Sequence, residues 1–327
     1  MRRLATAALL LAALVPVAGC AATSAQGAQT VTVRLPDPGN AGVLAAGKKD
    51  GSLAKALEKA GARIEWTGQF AAFAPIAQAI NSGQLDYGVG SITSGVGALA
   101  AKPSFKIFAV GKPDLAGEGI LVKEGSPIAS VADLAGRKVA VNKGGTGEYL
   151  LLKALAKHGI SPDKVERVYL PPADAATAFN AGQVDAWASW GNFVLAAQAN
   201  SGAKFLADGT AIGSDNYQIH VVSTALADKH PRVVRALYDY LNRGSLASRE
   251  NPAPYINVFT SAGPTAVAGR LKELTEASVR EDPVIEAVTP ADLPRFDAVA
   301  GFFAEQKVTQ TRVSVKEHVV DPLKAAP

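Results

Sequence analysis

Between Val139 and Leu155 the chain reads V-A-V-N-K-G-G-T-G-E-Y-L-L-L-K-A-L, an order that fits a strand, a tight turn and the start of a helix. Val139, Ala140 and Val141 form a short apolar run of the kind that buries as a strand. Lys143-Gly144-Gly145-Thr146-Gly147 cannot pack a core, and its glycines let backbone N–H groups turn toward a common point. From Tyr149 the apolar residues return at helical spacing, so a helix opens at about Thr146. Strand, glycine turn and helix N-terminus together predict an anion seat, because the first N–H groups of a helix are unpaired and carry partial positive charge. Turns of this kind also join strands to helices in proteins that bind nothing there. This one is not a Walker A loop, since Lys143 precedes the glycines and no Lys-Ser/Thr follows them. Nor is it G-x-G-x-x-G, since Leu150 stands where the third glycine or alanine belongs.

The same strand-to-helix alternation runs through two thirds of the chain. Val31–Leu35 alternates like a strand and is broken by Pro36-Asp37-Pro38-Gly39-Asn40, after which a helix runs to about Ala60. Strands follow at 63–66, 85–90 and 105–110, with helices at 72–81 and 92–101 between them. After Leu121 the plan recurs, with strands at 139–142, 165–170, 184–188 and 204–206 and helices at 146–158, 173–181 and 193–200. Such alternation predicts mostly parallel sheets flanked by helices. One local repeat supports a duplicated plan: Ala79–Asp86 and Ala178–Asp185 are both A-x-N-x-G-Q-apolar-D. In each, glycine ends a helix and the aspartate enters a strand that leads to a polar turn, so Asp86 and Asp185 are read as structural. After Tyr217–Ser223 the texture changes to helices, at His230–Leu237, 265–278 and 292–305, with no further strand expected. These are expected to pack back on the first lobe and make it discontinuous, with crossings near 112–119 and 215–224. Ligands of doubly wound sheets bind outside the carboxyl ends of the strands. Two such lobes would enclose a cleft lined by loops 36–40, 90–94, 143–148 and 189–193.

The N-terminus reads as an export signal: Arg2 and Arg3, an apolar run from Leu4 to Val15, then Val17-Ala18-Gly19-Cys20. Its end resembles the lipobox of bacterial lipoproteins, in which the cysteine is acylated and becomes the first residue. On this reading residues 1–19 are removed, Cys20 carries the lipid, and residues 20–30 form a flexible leader tethering the rest at a membrane surface. Cys20 is the only cysteine of the 327 residues, so no disulfide, cysteine nucleophile or thiolate metal site is expected. Without Arg2 and Arg3 the 33 basic residues become 31 against 29 acidic ones, a net of +2. That balance argues against nucleic acid as a partner. No apolar run after residue 20 is long enough for a transmembrane helix. The apolar share of 48% with only 6% aromatic points to an Ala/Val/Leu core, and the length suits two lobes.

Enzyme signatures are weak. His158, His220, His230 and His318 are scattered without metal-ligand spacing. Trp187-Ala188-Ser189-Trp190-Gly191 lacks the first glycine of a nucleophile elbow. Gly95-Val96-Gly97-Ala98-Leu99-Ala100 fits G-x-G-x-x-A but lies within a helix instead of at a strand-to-helix turn. The residues point to a non-catalytic binder with no cofactor and no metal.

The four loops and their flanks resemble the substrate-binding proteins of the sulfonate/taurine/nitrate family of ABC importers, over essentially the whole mature length. The residues that carry the resemblance are Leu85-Asp86-Tyr87-Gly88-Val89-Gly90, Gly119-Ile120-Leu121-Val122, Ser130–Val141, Gly145–Leu152, Val184-Asp185-Ala186-Trp187-Ala188-Ser189-Trp190 and Lys229-His230-Pro231. The resemblance implies an α/β, two-lobed periplasmic-binding-protein-like (type II) fold with the ligand in the interlobe cleft. It implies lobe 1 at 31–113 and 222–327 and lobe 2 at 114–221. It also implies an exported monomer, anchored to the membrane only by lipid, that captures a small anionic organic solute such as an alkanesulfonate or taurine for an ABC permease and its ATPase. In that family the anion sits between helix N-termini and hydroxyl donors, with an aromatic residue against the substrate. Carried over, Ser91, Thr93, Thr146 and Trp190 are the expected contacts, with Asn192 and Asn40 behind them. Two departures leave the ligand open: Glu148 stands beside Tyr149 where alkanesulfonate binders often have His, and Trp190-Gly191-Asn192 replaces W-D-P. Asp37 also lies in the first cleft loop. If Glu148 faces the cleft, it and Asp37 would favour a zwitterion such as taurine, or a donor-bearing heterocycle, over a plain sulfonate; if not, Glu148 is a helix cap turned to solvent. A binder of a thiamine-pyrimidine-like or other heteroaromatic solute and a sensor-linked binding protein are the alternatives. The same fold carries a pyrimidine synthase of thiamine biosynthesis, whose clustered cysteine and histidine this chain lacks.

Overall fold

The computed structural model describes residues 30–101, 103–111 and 115–325. The signal segment 1–19, Cys20 and the leader to residue 29 lie outside these. The first lobe begins with β1 (Val31–Leu35), α1 (Val43–Asp50), α2 (Ser52–Lys59), β2 (Ala62–Trp66), α3 (Phe73–Asn81), β3 (Tyr87–Ser91), α4 (Ile92–Leu99) and β4 (Phe105–Gly111). The second holds β5 (Glu118–Val122), β6 (Lys138–Val141), α5 (Thr146–Lys157), β7 (Glu166–Tyr169), α6 (Pro172–Asn180), β8 (Ala186–Trp190), α7 (Gly191–Ser201), β9 (Lys204–Asp208) and α8 (Gly209–Ile212). The chain returns through β10 (Gln218–Ser223), α9 (Thr224–Lys229), α10 (Pro231–Glu250), α11 (Gly269–Glu281), β11 (Ile285–Ala287) and α12 (Leu293–Glu305). The single helix expected up to Ala60 is two, because Gly51 adopts φ 74°, outside helical space.

Each lobe has its own sheet, ordered β11-β4-β10-β3 in the first and β7-β6-β8-β5-β9 in the second. Within the second, β6 runs parallel to β7 and β8. β5 and β10, the strands that follow the two crossings, run antiparallel to both their neighbours. The second-lobe sheet is therefore mixed and the first-lobe sheet is antiparallel at every pairing, where alternation alone predicted mostly parallel sheets. The boundary expected at 221/222 falls inside β10, whose residues from Gln218 onward already pair with β3 and β4.

The repeated aspartates do the same job in both lobes. The Asp86 N–H donates to the Arg34 carbonyl (2.9 Å) and the Arg34 N–H returns to the Asp86 carboxylate (3.0 Å). The Asp185 N–H donates to the Lys138 carbonyl (2.8 Å) and the Lys138 N–H returns to the Asp185 carboxylate (2.8 Å). Each aspartate thus latches the strand it opens to a neighbouring strand, and in the first lobe this draws the parallel β1–β2 pair against β3.

The tail differs from expectation in two respects. β11 adds an antiparallel edge strand to β4, which a three-residue run is too short to signal by pattern. The tail helices also reach both lobes. Val233, Val234, Leu237 and Leu241 of α10 bury with Val33, Leu53, Tyr87 and Phe108 of the first lobe. α12 packs on α4, and its Phe302 and Phe303 stand edge-on to Tyr149 of α5 in the second. α11 lies between α10 and α7. Among the described residues no helix is long and apolar enough to cross a membrane.

Candidate functional site: an interlobe cleft

The carboxyl ends of β1, β3, β6 and β8 each run into a helix whose N-terminus faces the space between the lobes. Their loops, with residues such as Pro36, Asn40, Ser91, Gly145, Thr146, Trp190 and Asn192, line one cleft of about 2280 Å³. The convergence expected of the four loops is therefore present. Ser91 caps α4 in a reciprocal box with Ser94. α1, α3 and α7 have no side-chain cap, so the partial positive charge of their first turns is turned to the cleft without a capping side-chain oxygen to offset it. α5 has no N-cap side chain either, but Asn142 Oδ1 takes one of its first N–H groups.

At the floor of the cleft the lobes touch through hydroxyls. Ser91 Oγ lies 2.9 Å from Thr146 Oγ1, and Thr93 Oγ1 lies 2.8 Å from Ser91 and 3.1 Å from Thr146. Thr93 is fully buried and does not line the cleft. Its backbone N–H and its hydroxyl both donate to Asn216 Oδ1 (3.3 Å each). Asn216 Nδ2 in turn donates to the buried Glu118 carboxylate (2.8 Å), which also accepts from Ser214 Oγ (2.5 Å). Glu118 thus fixes which way Asn216 points, and Asn216 orders the hydroxyls above it. Thr93 thus lies beneath the cleft, and of the three hydroxyl residues Ser91 and Thr146 line it. Ser91 Oγ accepts the Ser94 N–H (3.2 Å), and because the Thr93 proton is spent on Asn216, the Ser91 proton is shared within the hydroxyl cluster, toward Thr93 Oγ1 or Thr146 Oγ1.

The glycines of the second-lobe turn are set by packing. A Cβ on Gly145 would stand 2.0 Å from Asn142 Nδ2, and one on Gly147 would stand 2.5 Å from the Ala188 carbonyl oxygen. Asn142 Oδ1 takes the Gly147 N–H (2.7 Å), so the turn is held by a side chain that sequence reading did not single out.

The two carboxylates expected at the cleft are both already partnered. Glu148 is 2% exposed, so it is not a cap turned to solvent. It accepts from the Gly144 N–H (2.8 Å), Tyr169 Oη (2.6 Å) and Arg167 Nη1 (3.2 Å). Asp37 pairs with Lys48 and accepts from the Gly39 N–H (2.8 Å) and Gln69 Nε2 (3.2 Å). The Lys48 hydrogen bond leads in holding the Asp37 carboxyl below its ordinary range. Neither is free to meet a ligand ammonium. Asn40 has all four side-chain bonding positions taken: Nδ2 donates to the Thr260 and Thr265 carbonyls (2.8 and 3.0 Å) and Oδ1 accepts from the Phe259 and Thr260 N–H groups (2.7 and 3.0 Å). It ties the 257–267 loop to the first cleft loop and offers a ligand nothing further. Trp190 is half-buried at the end of β8, edge-on to Phe193 (centroids 5.7 Å apart, planes at 77°). Asn192 is exposed in the first turn of α7. Among the described residues no group of histidine, cysteine and carboxylates could hold a metal ion.

Two α/β lobes joined by crossing strands, with uncapped helix ends and hydroxyl donors meeting in the cleft between them, define the class of two-lobed solute-binding folds. The chain belongs to the NMT1/THI5-like family, whose model matches residues 69–254. It is 28% identical to the alkanesulfonate-binding protein SsuA of Xanthomonas axonopodis pv. citri, solved with MOPS bound; the superposition covers 89% of this chain and 98% of that one, with a TM-score of 0.79. It is 32% identical to the taurine-binding periplasmic protein of Escherichia coli (strain K12) over 64% of each chain. The fold extends to an enzyme, the desulfurization enzyme DSZB, at 18% identity and a TM-score of 0.61, covering 89% of this chain and 96% of that one. That likeness is one of fold alone.

Proposed function

We propose that this protein is the extracytoplasmic solute-binding component of an ABC importer, capturing a small organic anion of the sulfonate class and delivering it to a permease. The observation that carries this reading is the pairing, across the lobes, of Ser91 and Thr146 hydroxyls 2.9 Å apart at the ends of helices that open on the cleft. A tetrahedral anion is bound well by such a seat, because neutral hydroxyl and amide donors meet its charge without a counter-ion that would need desolvation. The relatives named for alkanesulfonate and taurine support the same ligand class. Within this reading the protein is a non-catalytic monomer, and Cys20 carries the lipid that holds it at the outer face of the membrane. Its lobes divide between Gly111 and Glu118 and again just before Gln218. Ser91, Thr146, Trp190 and Asn192 are its ligand contacts, with Thr93 in support.

A thermal-shift and calorimetric panel of alkanesulfonates, taurine, nitrate, simple carboxylates and thiamine-type pyrimidines tests it. Saturable binding of sulfonates is the expected result. Binding of pyrimidines with none of sulfonates would replace this reading with that of a heteroaromatic binder.

A further inference from the structure

Across the second-lobe wall, one strand away from the hydroxyl seat, lies a group of charged side chains for which the seat has no use. Arg167 and Tyr169 stand near the end of the edge strand β7 and Lys143 in the turn after its neighbour β6, and all three line the cleft. Arg167 spends one N–H on the buried Glu148 (3.2 Å). Among the described residues the rest of its guanidinium has no hydrogen-bond partner, and its side chain is 28% exposed. Tyr169, its hydroxyl fixed on the same carboxylate, offers its ring to both cations, with Lys143 Nζ 5.8 Å and Arg167 Cζ 6.0 Å from the centroid. The group carries two positive charges against one negative. Its one carboxylate, though on the cleft lining, is 2% exposed and held by three donors. Glu148 therefore acts as the strut that aims Arg167 and Tyr169.

We propose that Lys143, Arg167 and Tyr169, braced by Glu148, form a distal subsite for a second negative charge, so that the preferred ligand is a short sulfonate bearing a carboxylate at its other end. This rests on the proposed sulfonate seat at Ser91 and Thr146. Neighbouring strands lie about 4.8 Å apart, so a linker of one or two methylenes suits the step from β6 to β7. The guanidinium fork matches a carboxylate. A ligand ammonium would instead meet two like charges, which reverses the zwitterion preference expected had Glu148 been free.

Calorimetry with 3-sulfopropionate, 1-propanesulfonate and taurine tests this, because the three differ only in the group that follows the second methylene: carboxylate, methyl or ammonium. The wild type should bind 3-sulfopropionate roughly tenfold or more tighter than 1-propanesulfonate, the gain of a charge-assisted hydrogen bond, with taurine weakest. Arg167→Gln should bring the ratio of the first two close to one. Should Arg167→Gln fail to fold because Glu148 loses its partner, Lys143→Gln, at an exposed position, should still lower that ratio. In the wild type the ratio should also shrink as salt rises. Equal binding of 3-sulfopropionate and 1-propanesulfonate, or tighter binding of taurine than of 3-sulfopropionate, overturns the subsite and leaves the importer reading standing. No binding of any of the three overturns the seat and the subsite together.

Discussion

Ser91 and Thr146 are short side chains with one proton each, and in the proposed seat they would act through geometry more than through charge. An anion held by neutral donors loses one hydrogen bond when a hydroxyl is removed. Ser91→Ala and Thr146→Ala should therefore each weaken sulfonate binding by about 1–3 kcal/mol, read by calorimetry. Less than a twofold change in both variants would place the seat elsewhere in the cleft. Thr93→Ala acts from beneath, so its cost should appear in thermal stability as well as in affinity. His220 is a separate case. Its ring is buried, with Nδ1 2.8 Å from Tyr87 Oη, and burial pushes its pKa from 6.5 down to about 3. Between those values the unfolded chain takes up a proton that the folded chain does not, so stability falls as pH drops through that window. Thermal melts from pH 7 to pH 4 should show a larger loss for the wild type than for His220→Gln. Equal losses would mean that His220 does not drive the acid response.

At the scale of elements, the second-lobe turn joins local chemistry to close packing. Gly147→Ala would force a Cβ to 2.5 Å from the Ala188 carbonyl, backbone against backbone, and should cost roughly 1–3 kcal/mol of stability, measured by denaturant unfolding. A neutral result would show that β8 and α5 can separate more easily than their packing implies. This turn was legible in the sequence because its signals are local: an apolar triplet and a glycine cluster fall within a few positions, although Thr146 opens the helix without capping it. The repeated aspartates were legible for the same reason. What could not be read was pairing at a distance. Glu148 meets Arg167 only because β7 lies beside β6, and Asn216 meets Thr93 only because the chain crosses back into the first lobe. No spacing along the chain encodes either contact. The antiparallel β5 and β10 escaped for a related reason, since strand patterns carry no direction.

At the scale of the molecule, the tail distinguishes this structure from two simple lobes. α12 buries Phe296, Val299 and Phe303 in the same core as Val96 of α4 and Leu151 of α5, so one side of the interlobe region is fixed by apolar packing. On another side α11, none of whose residues is buried, bridges α10 and α7. Movement between the lobes should thus pivot near α12 and the crossing strands and be taken up where α11 meets α7. Trp190 sits half-buried on the second-lobe wall of that space and should leave water as the lobes close. The central claim is that a sulfonate is captured between the lobes, and small-angle X-ray scattering tests it most directly when the same titration is followed by tryptophan emission. The account predicts that a saturating alkanesulfonate lowers the radius of gyration and shifts the emission to the blue at the same midpoint. An unchanged radius of gyration and unchanged emission, at a concentration where calorimetry shows the site filled, would contradict it.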